Sequence, residues 1–335
     1  MCTFFLADNE DYSIKYPLSW VFQALATNIG KGKGLIKSDR VTLEHIDVYY
    51  LWSNHTDKFS AILHITKDEF DIILLGITEI TETIQCQTSL AMPIANKVLM
   101  ALHFVVQYTG GNNLATLFNC SDYYVSKVLD EMFPPMVEYF SQFIPNKKIY
   151  ETRSSLHASI KYIIDGTLHK TQRQNGEQDD NYNGHYRMHG KLTQILLDFE
   201  GYVVAFKTNI KGRTHDALAA IYSDNFKKIV GKHLVLGDPG YHGVGYVVPG
   251  FKPSTVKTME QVIFDKISRS EQVAIENANN FIKENKSVNK QDTFRHNEKR
   301  LVACVFISIG MYNLKRSWGY FKNPFSLLTG DADVQ

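Results

Sequence analysis

Four carboxylates, Asp165, Asp216, Asp238 and Glu276, stand between residues 161 and 283 in settings that could bring them together. Asp165 follows the apolar run Tyr162-Ile163-Ile164 and precedes Gly166-Thr167; Asp238 follows Leu234-Val235-Leu236-Gly237 and precedes Pro239-Gly240. Both patterns place an acid at the exposed end of a buried strand. Asp216 stands in Thr214-His215-Asp216-Ala217-Leu218, where Thr214 is a candidate helix cap and Asp216 falls in the first turn. Glu276 lies in a helical pattern over 273–283 with no Pro or Gly to break it. An unpaired buried carboxylate is costly, so acids at the ends of core strands need a partner. A divalent cation such as Mg2+ (or Mn2+), which takes hard oxygen ligands, is one.

The elements that must position these acids follow from the same pattern. A strand over 161–165, a hairpin over 192–208, a helix over 215–229, a strand over 233–238 and helices running through Glu276 and over 295–315 make an α/β layout with helices covering a sheet. The hairpin is marked by Asp198-Phe199-Glu200-Gly201 between two apolar runs. In this order the strand ending at Asp238 can return beside the strand carrying Asp165 through a crossover, and a helix across that edge can supply Glu276. Arg269 and Lys283 lie seven residues on either side of Glu276, which places all three on one helix face, where the cations suit phosphate contacts. The plain alternative is a solvated, charge-laced helix.

Upstream the pattern is helical. Thr66 and Glu69 form a capping box, and the helix they start should run through Ile77. Ile94, Val98, Leu102, Val105 and Val106 define a second amphipathic helix that ends at Gly110-Gly111. A short helix over 113–118, a turn at Asn119-Cys120-Ser121 and a helix over 122–132 then read as a helix-turn-helix. In its second helix Val125, Val128, Leu129 and Met132 face inward, and Tyr123, Tyr124, Ser126 and Lys127 are left exposed as candidate DNA contacts. A helical hairpin that only packs fits the same pattern. Pro134-Pro135 is expected to end that helix. The organisation is therefore an unassigned region over 1–64, a helical module over 65–150 and an α/β domain over 155–330.

With 335 residues, 44% of them hydrophobic, the chain can bury a substantial core. A formal charge of +1 leaves nucleic-acid binding to local basic patches. Cys2, Cys86, Cys120 and Cys304 form no Cys-x-x-Cys pair, which argues against a disulfide framework or thiolate zinc site and fits an intracellular setting. No apolar run reaches membrane-spanning length, and no membrane association is expected. The segment Ile29-Gly30-Lys31-Gly32-Lys33-Gly34 lacks phosphate-loop spacing and reads as a basic loop. His185 and His189, flanked by glycines, read as loop residues and not as a zinc pair, and Cys304 reads as core.

The strings Ile164-Asp165-Gly166-Thr167, Thr214-His215-Asp216-Ala217, Leu236-Gly237-Asp238-Pro239-Gly240-Tyr241 and Ile275-Glu276-Asn277-Ala278, in this order, resemble the PIF/Harbinger DDE transposases and the nucleases derived from them. Residues 66–132 are similar to that family's helical region with its helix-turn-helix. The resemblance implies an RNase H-like catalytic domain, a mixed sheet flanked by helices, that cuts DNA with divalent metal and joins ends to a target. Two Mg2+ ions roughly 4 Å apart would activate a water or a 3′-hydroxyl for in-line displacement. Asp165, Asp238 and Glu276 match as the catalytic triad, with Asp216 a supporting acid. It further implies a nuclear location, a Myb/SANT-like partner protein and a homo-oligomer. The chain departs from the family where Leu168 precedes His169 and where Asn279 replaces an aromatic; Lys283 matches. A domesticated, catalytically inactive DNA-binding protein is the alternative.

Overall fold

The computed structural model describes residues 45–83, 92–145, 153–173, 178–252, 257–289 and 291–321. The basic loop at 29–34, Cys2, Cys86 and Lys290 lie outside the described residues. Among the described residues two compact units emerge, one mainly from 45–141 and the other from 142–284 and 288–321.

In the first unit the described helices are α1 (Val48–Ser53), α2 (Lys67–Thr83), α3 (Ile94–Gln107), α4 (Gly111–Phe118) and α5 (Asp122–Ser141), with a π turn at Phe59–Leu63. Glu69 accepts the Thr66 N–H at 2.7 Å while Thr66 Oγ1 accepts the Glu69 N–H at 3.2 Å, so α2 begins on a reciprocal cap. Phe59, Phe70, Ile73 and Ile77 are fully buried beside α3, itself covered along nearly its whole length. Asn119, at φ 49°, turns the chain after α4, and Ser121 Oγ accepts the Tyr124 N–H at 3.1 Å to cap α5.

Contrary to expectation, Pro134-Pro135 does not end α5, which continues to Ser141. The two prolines cannot donate to the carbonyls of Asp130 and Glu131, four residues back. Burial of Phe133, Met136, Val137 and Phe140 in the same stretch offsets that loss.

The second unit holds a mixed sheet of β1 (Ile160–Lys170), β2 (Tyr182–Asn183), β3 (Met188–Asp198), β4 (Val203–Lys211), β5 (Leu234–Gly237) and β6 (Val247–Pro249), in the order β2-β3-β1-β5-β6 with β4 also on β3, and the one-turn helix α6 (Gln178–Asn181) leads into β2. β1 is antiparallel to β3 and parallel to β5. The β3–β4 hairpin turns at Gly201 (φ 84°), a left-handed conformation that suits glycine. Asp198 holds the turn by accepting the Glu200 and Tyr202 N–H groups at 2.9 and 2.8 Å.

The crossover between β4 and β5 is two short helices, α7 (Asp216–Ile221) and α8 (Asp224–Val230), in place of the single expected helix. Tyr222-Ser223 interrupts them, and Ser favours such breaks because its side chain competes for backbone groups. On this face Tyr162, Ile164, Leu196, Ala220, Phe226, Val230, Val235 and Tyr241 form one core. The helices α9 (Met259–Glu284) and α10 (Glu298–Ser317) complete the unit. Asn313 fastens α10 to β4, accepting the Val203 N–H at 3.0 Å and donating to the Val203 carbonyl at 2.8 Å. No helix among the described residues is long and apolar enough to cross a membrane.

Candidate active site

Asp165 is not at the end of its strand. β1 continues five residues beyond it, paired with β3 from Asp165↔Ile195 to Lys170↔Gly190. It is the parallel partner β5 that stops, its last pairing with β1 being Ile163↔Leu236. Asp165 and Gly166 therefore lie where one edge of β1 is left open just past the end of β5, and Asp238 follows immediately from that end. The sequence pattern located the acid correctly at an opening in the sheet but missed that only one neighbour ends there.

Side chains alternate across a strand, so Asp165 and Gly166 face opposite sides. Asp216, in the first turn of α7, lies directly over Gly166: a Cβ at that glycine would stand 2.3 Å from Asp216 Oδ1. Only a residue without a side chain admits the carboxylate there. On the opposite side α9 presents Asn279, whose Nδ2 donates to Asp165 Oδ2 at 2.7 Å. Asp238 accepts the Gly240 N–H at 2.9 Å and caps the turn at Pro239–Tyr241.

The three acids sense one another. Burial, reinforced by Asp216 and Asp238, pushes the Asp165 carboxyl up to about 7, against the Gly166 N–H and Lys283. Burial also raises Asp216, with Asp238 adding to it, and burial raises Asp238; His215 pulls both back down. Asp216 Oδ1 is buried with no hydrogen-bond partner. A set of hard oxygen donors, mutually repelling and including an orphaned buried one, suits a divalent cation. The donor chemistry is thus of the kind a divalent cation takes. The arrangement is open, however: among the described residues no three His, Cys, Asp or Glu side chains stand at metal-holding separation.

Glu276 stands apart from this group. The buried stripe of α9 is Ile275, Ala278, Asn279 and Ile282, which turns Asn279 toward Asp165 and leaves Glu276 exposed on the flank. Lys283, half-buried one turn beyond Asn279, acts on Asp165 electrostatically. Arg269 is exposed and lies 3.8 Å from Asp265, itself paired with Lys257.

Sequence reading missed the polar floor beneath the acids. Gln194, fully buried opposite Gly166, donates to the Asp216 carbonyl at 2.7 Å and to the Tyr241 hydroxyl at 3.2 Å. Tyr241 and Tyr186 are both raised, by burial first and then by all three aspartates. A polar residue next to the apolar run Ile195-Leu196-Leu197 was the available signal for Gln194. His169 is a core residue: its ring bridges the Val288 carbonyl at 2.6 Å and Thr193 Oγ1 at 2.8 Å.

In the first unit Tyr123 and Lys127 are exposed on α5, with the ammonium 4.9 Å from the ring centre. Tyr124 and Ser126, expected to be exposed, are half-buried, because Tyr124 packs on His45 and its hydroxyl accepts the Met92 N–H at 3.1 Å. His185 sits on the β2–β3 turn, edge-on to Tyr186, whereas His189, expected in a loop, lies in β3, where pairing with Tyr182 of β2 extends the strand and sets its ring edge-on to that tyrosine. Cys120 is half-buried and Cys304 fully buried, as expected of a core residue.

Residues 164–313, a span that contains all four acids, match a family described as DDE superfamily endonuclease. No curated protein and no solved structure matches the chain.

Proposed function

We propose that this chain is a divalent-metal-dependent DNA endonuclease of the PIF/Harbinger transposase type, built on an RNase H-like catalytic unit. The observation that carries the reading is the convergence of Asp165, Asp216 and Asp238 at the open edge of β1, within the segment matched to DDE endonucleases. Asp165, Asp238 and Glu276 would hold Mg2+ or Mn2+, with Asp216 supporting. Bound there, metal would activate a water or a 3′-hydroxyl and stabilise the leaving oxygen of an in-line phosphodiester displacement.

The chain's own residues prepare that site. Asn279 fixes one oxygen of Asp165 and so orients the other. Gly166 makes room for Asp216, and the Gly240 N–H steadies Asp238. Asp165 keeps its proton up to about pH 7, so a cation competes with that proton below neutrality. Lys283 and Arg269 are candidate phosphate contacts, and α4 with α5 would serve as a helix-turn-helix that meets DNA through Tyr123 and Lys127, with Tyr124 and Ser126 beside them. A nuclear location, a Myb/SANT-like partner and self-association belong to the same proposal.

One observation favours a second reading, an inactive DNA-binding descendant: Glu276 is exposed, and the acids stand apart from metal-holding separation among the described residues. A Mn2+ titration by calorimetry separates the two. The nuclease reading expects saturable binding that Asp165→Ala and Asp238→Ala each weaken; binding unchanged in both variants would refute it.

A further inference from the structure

The turn at 184–187, between β2 and β3, brings a tyrosine to the Asp216 side of the sheet. Gly166 and Leu168 point to the same face of β1, since side chains alternate along a strand. Leu192 closes on that face beside Asp216, its Cδ1 3.3 Å from where a Cβ at Gly166 would stand. Leu168, Leu192, Ile210 and Ala219, the last of these one turn along α7 from Asp216, form a small apolar cluster, and Tyr186 packs against it. Residues that neighbour Gly166 and Asp216 therefore hold the Tyr186 ring.

The turn is fixed at its base. Asn183 Nδ2 donates to the Gly212 carbonyl at 2.6 Å while Asn183 Oδ1 accepts the Tyr186 N–H at 3.0 Å, and the His185 ring lies edge-on to Tyr186 with centroids 4.8 Å apart. Burial, then Asp165, Asp216 and Asp238, raise the Tyr186 hydroxyl above the ordinary tyrosine value, so it keeps its proton at neutral pH. A protonated phenol is a hydrogen-bond donor and a poor nucleophile. Tyr241 answers to the same three acids but is enclosed and bonded to Gln194, whereas Tyr186 is only half-buried.

We propose that Tyr186 touches the substrate at the acid cluster, its hydroxyl donating a hydrogen bond to a non-bridging oxygen of the phosphate to be cut. The inference rests on the nuclease reading and adds to it a residue from the β2–β3 turn. A phosphodiester offers acceptor oxygens, and negative charge gathers on them as the nucleophile attacks. A donor held in place beforehand therefore contributes most in the transition state. The hydroxyl keeps its proton throughout, and no bond to the tyrosine forms.

The test is nicking of supercoiled plasmid by the full-length protein in Mn2+, with kcat and KM measured over a range of plasmid concentrations. Tyr186→Phe retains the ring and its packing, so its melting temperature and its Mn2+ affinity by calorimetry should match the wild type. Its kcat should fall about tenfold to a hundredfold at unchanged KM. Tyr182→Phe, at an exposed position of the same hairpin, should leave kcat unchanged. A Tyr186→Phe variant that nicks at the wild-type rate, an equal loss in both variants, or a loss that comes with weakened Mn2+ binding or a lowered melting temperature would overturn Tyr186 as a substrate contact and leave the nuclease reading standing. A wild type that binds plasmid and nicks none would remove that reading and the role of Tyr186 with it.

Discussion

Replacing Asp165 by Asn should make the metal-free protein more stable at alkaline pH while removing its response to metal. Folding raises this carboxyl from an ordinary 3.8 to about 7, burial being the largest cause. At about 1.4 kcal/mol per tenfold change in the proton equilibrium, the ionised group costs the fold up to about 4 kcal/mol at pH 8. Asp165 is partly solvent-exposed, so screening brings the expected effect nearer to about 2 kcal/mol. The sign follows from the raised value. The stabilising preference for the protonated form is fully present below about pH 4, where the unfolded chain is also protonated, and is lost as pH rises through about 7.

Asn keeps an oxygen for the Asn279 amide and carries no charge, so at pH 8 it should raise the melting temperature by about 4 to 8 °C. At pH 4 the gain should vanish. Added Mg2+ should raise the melting temperature of the wild type at pH 8 and leave the variant unmoved. Thermal unfolding of both proteins at the two pH values, with and without Mg2+, is the assay. A variant destabilised equally at both pH values would refute the assignment of a strained, ionised carboxylate at this position.

Three further perturbations have defined outcomes. Gly166→Ala places a methyl 2.3 Å from Asp216 Oδ1 and must displace that carboxylate; it should weaken Mn2+ affinity measured by calorimetry with a stability loss of about 1 to 3 kcal/mol in denaturant titration. Asn279→Ala releases Asp165 without touching the acids, and should lower metal affinity roughly tenfold or more while Asn279→Gln restores part of it. Glu271, buried, accepts from Ser154 Oγ at 2.5 Å and from the Ser155 N–H and Oγ at 2.7 Å each; Glu271→Ala should cost about 2 to 4 kcal/mol of stability by urea unfolding while leaving metal affinity intact.

What could be read from the chain was what is local. An apolar run ending in Asp-Gly or Gly-Asp-Pro-Gly announces a strand and an opening, and the capping box at Thr66 is complete within four residues. What could not be read depends on partners distant in sequence. The continuation of β1 past Asp165 is set by pairing with β3, more than a dozen residues away in sequence, where Thr167 meets Thr193 and Lys170 meets Gly190. Pro134-Pro135 obeys tertiary burial over local propensity. Asn279 reaches Asp165 across 114 residues of sequence; a single polar residue within the stripe Ile275, Ala278, Ile282 was its trace. Glu276 was placed among the acids by its string and by a helix expected across the sheet edge; the face that helix turns inward is set by the buried stripe beside Glu276.

The most direct measurement is nicking of supercoiled plasmid by the purified protein in Mg2+ or Mn2+, against EDTA and against Glu276→Gln. The account predicts metal-dependent nicking that EDTA abolishes and Glu276→Gln largely removes at unchanged melting temperature. Wild-type protein that binds the plasmid yet leaves it intact in both metals, with a Myb/SANT-like partner and element-end sequence supplied, would contradict it.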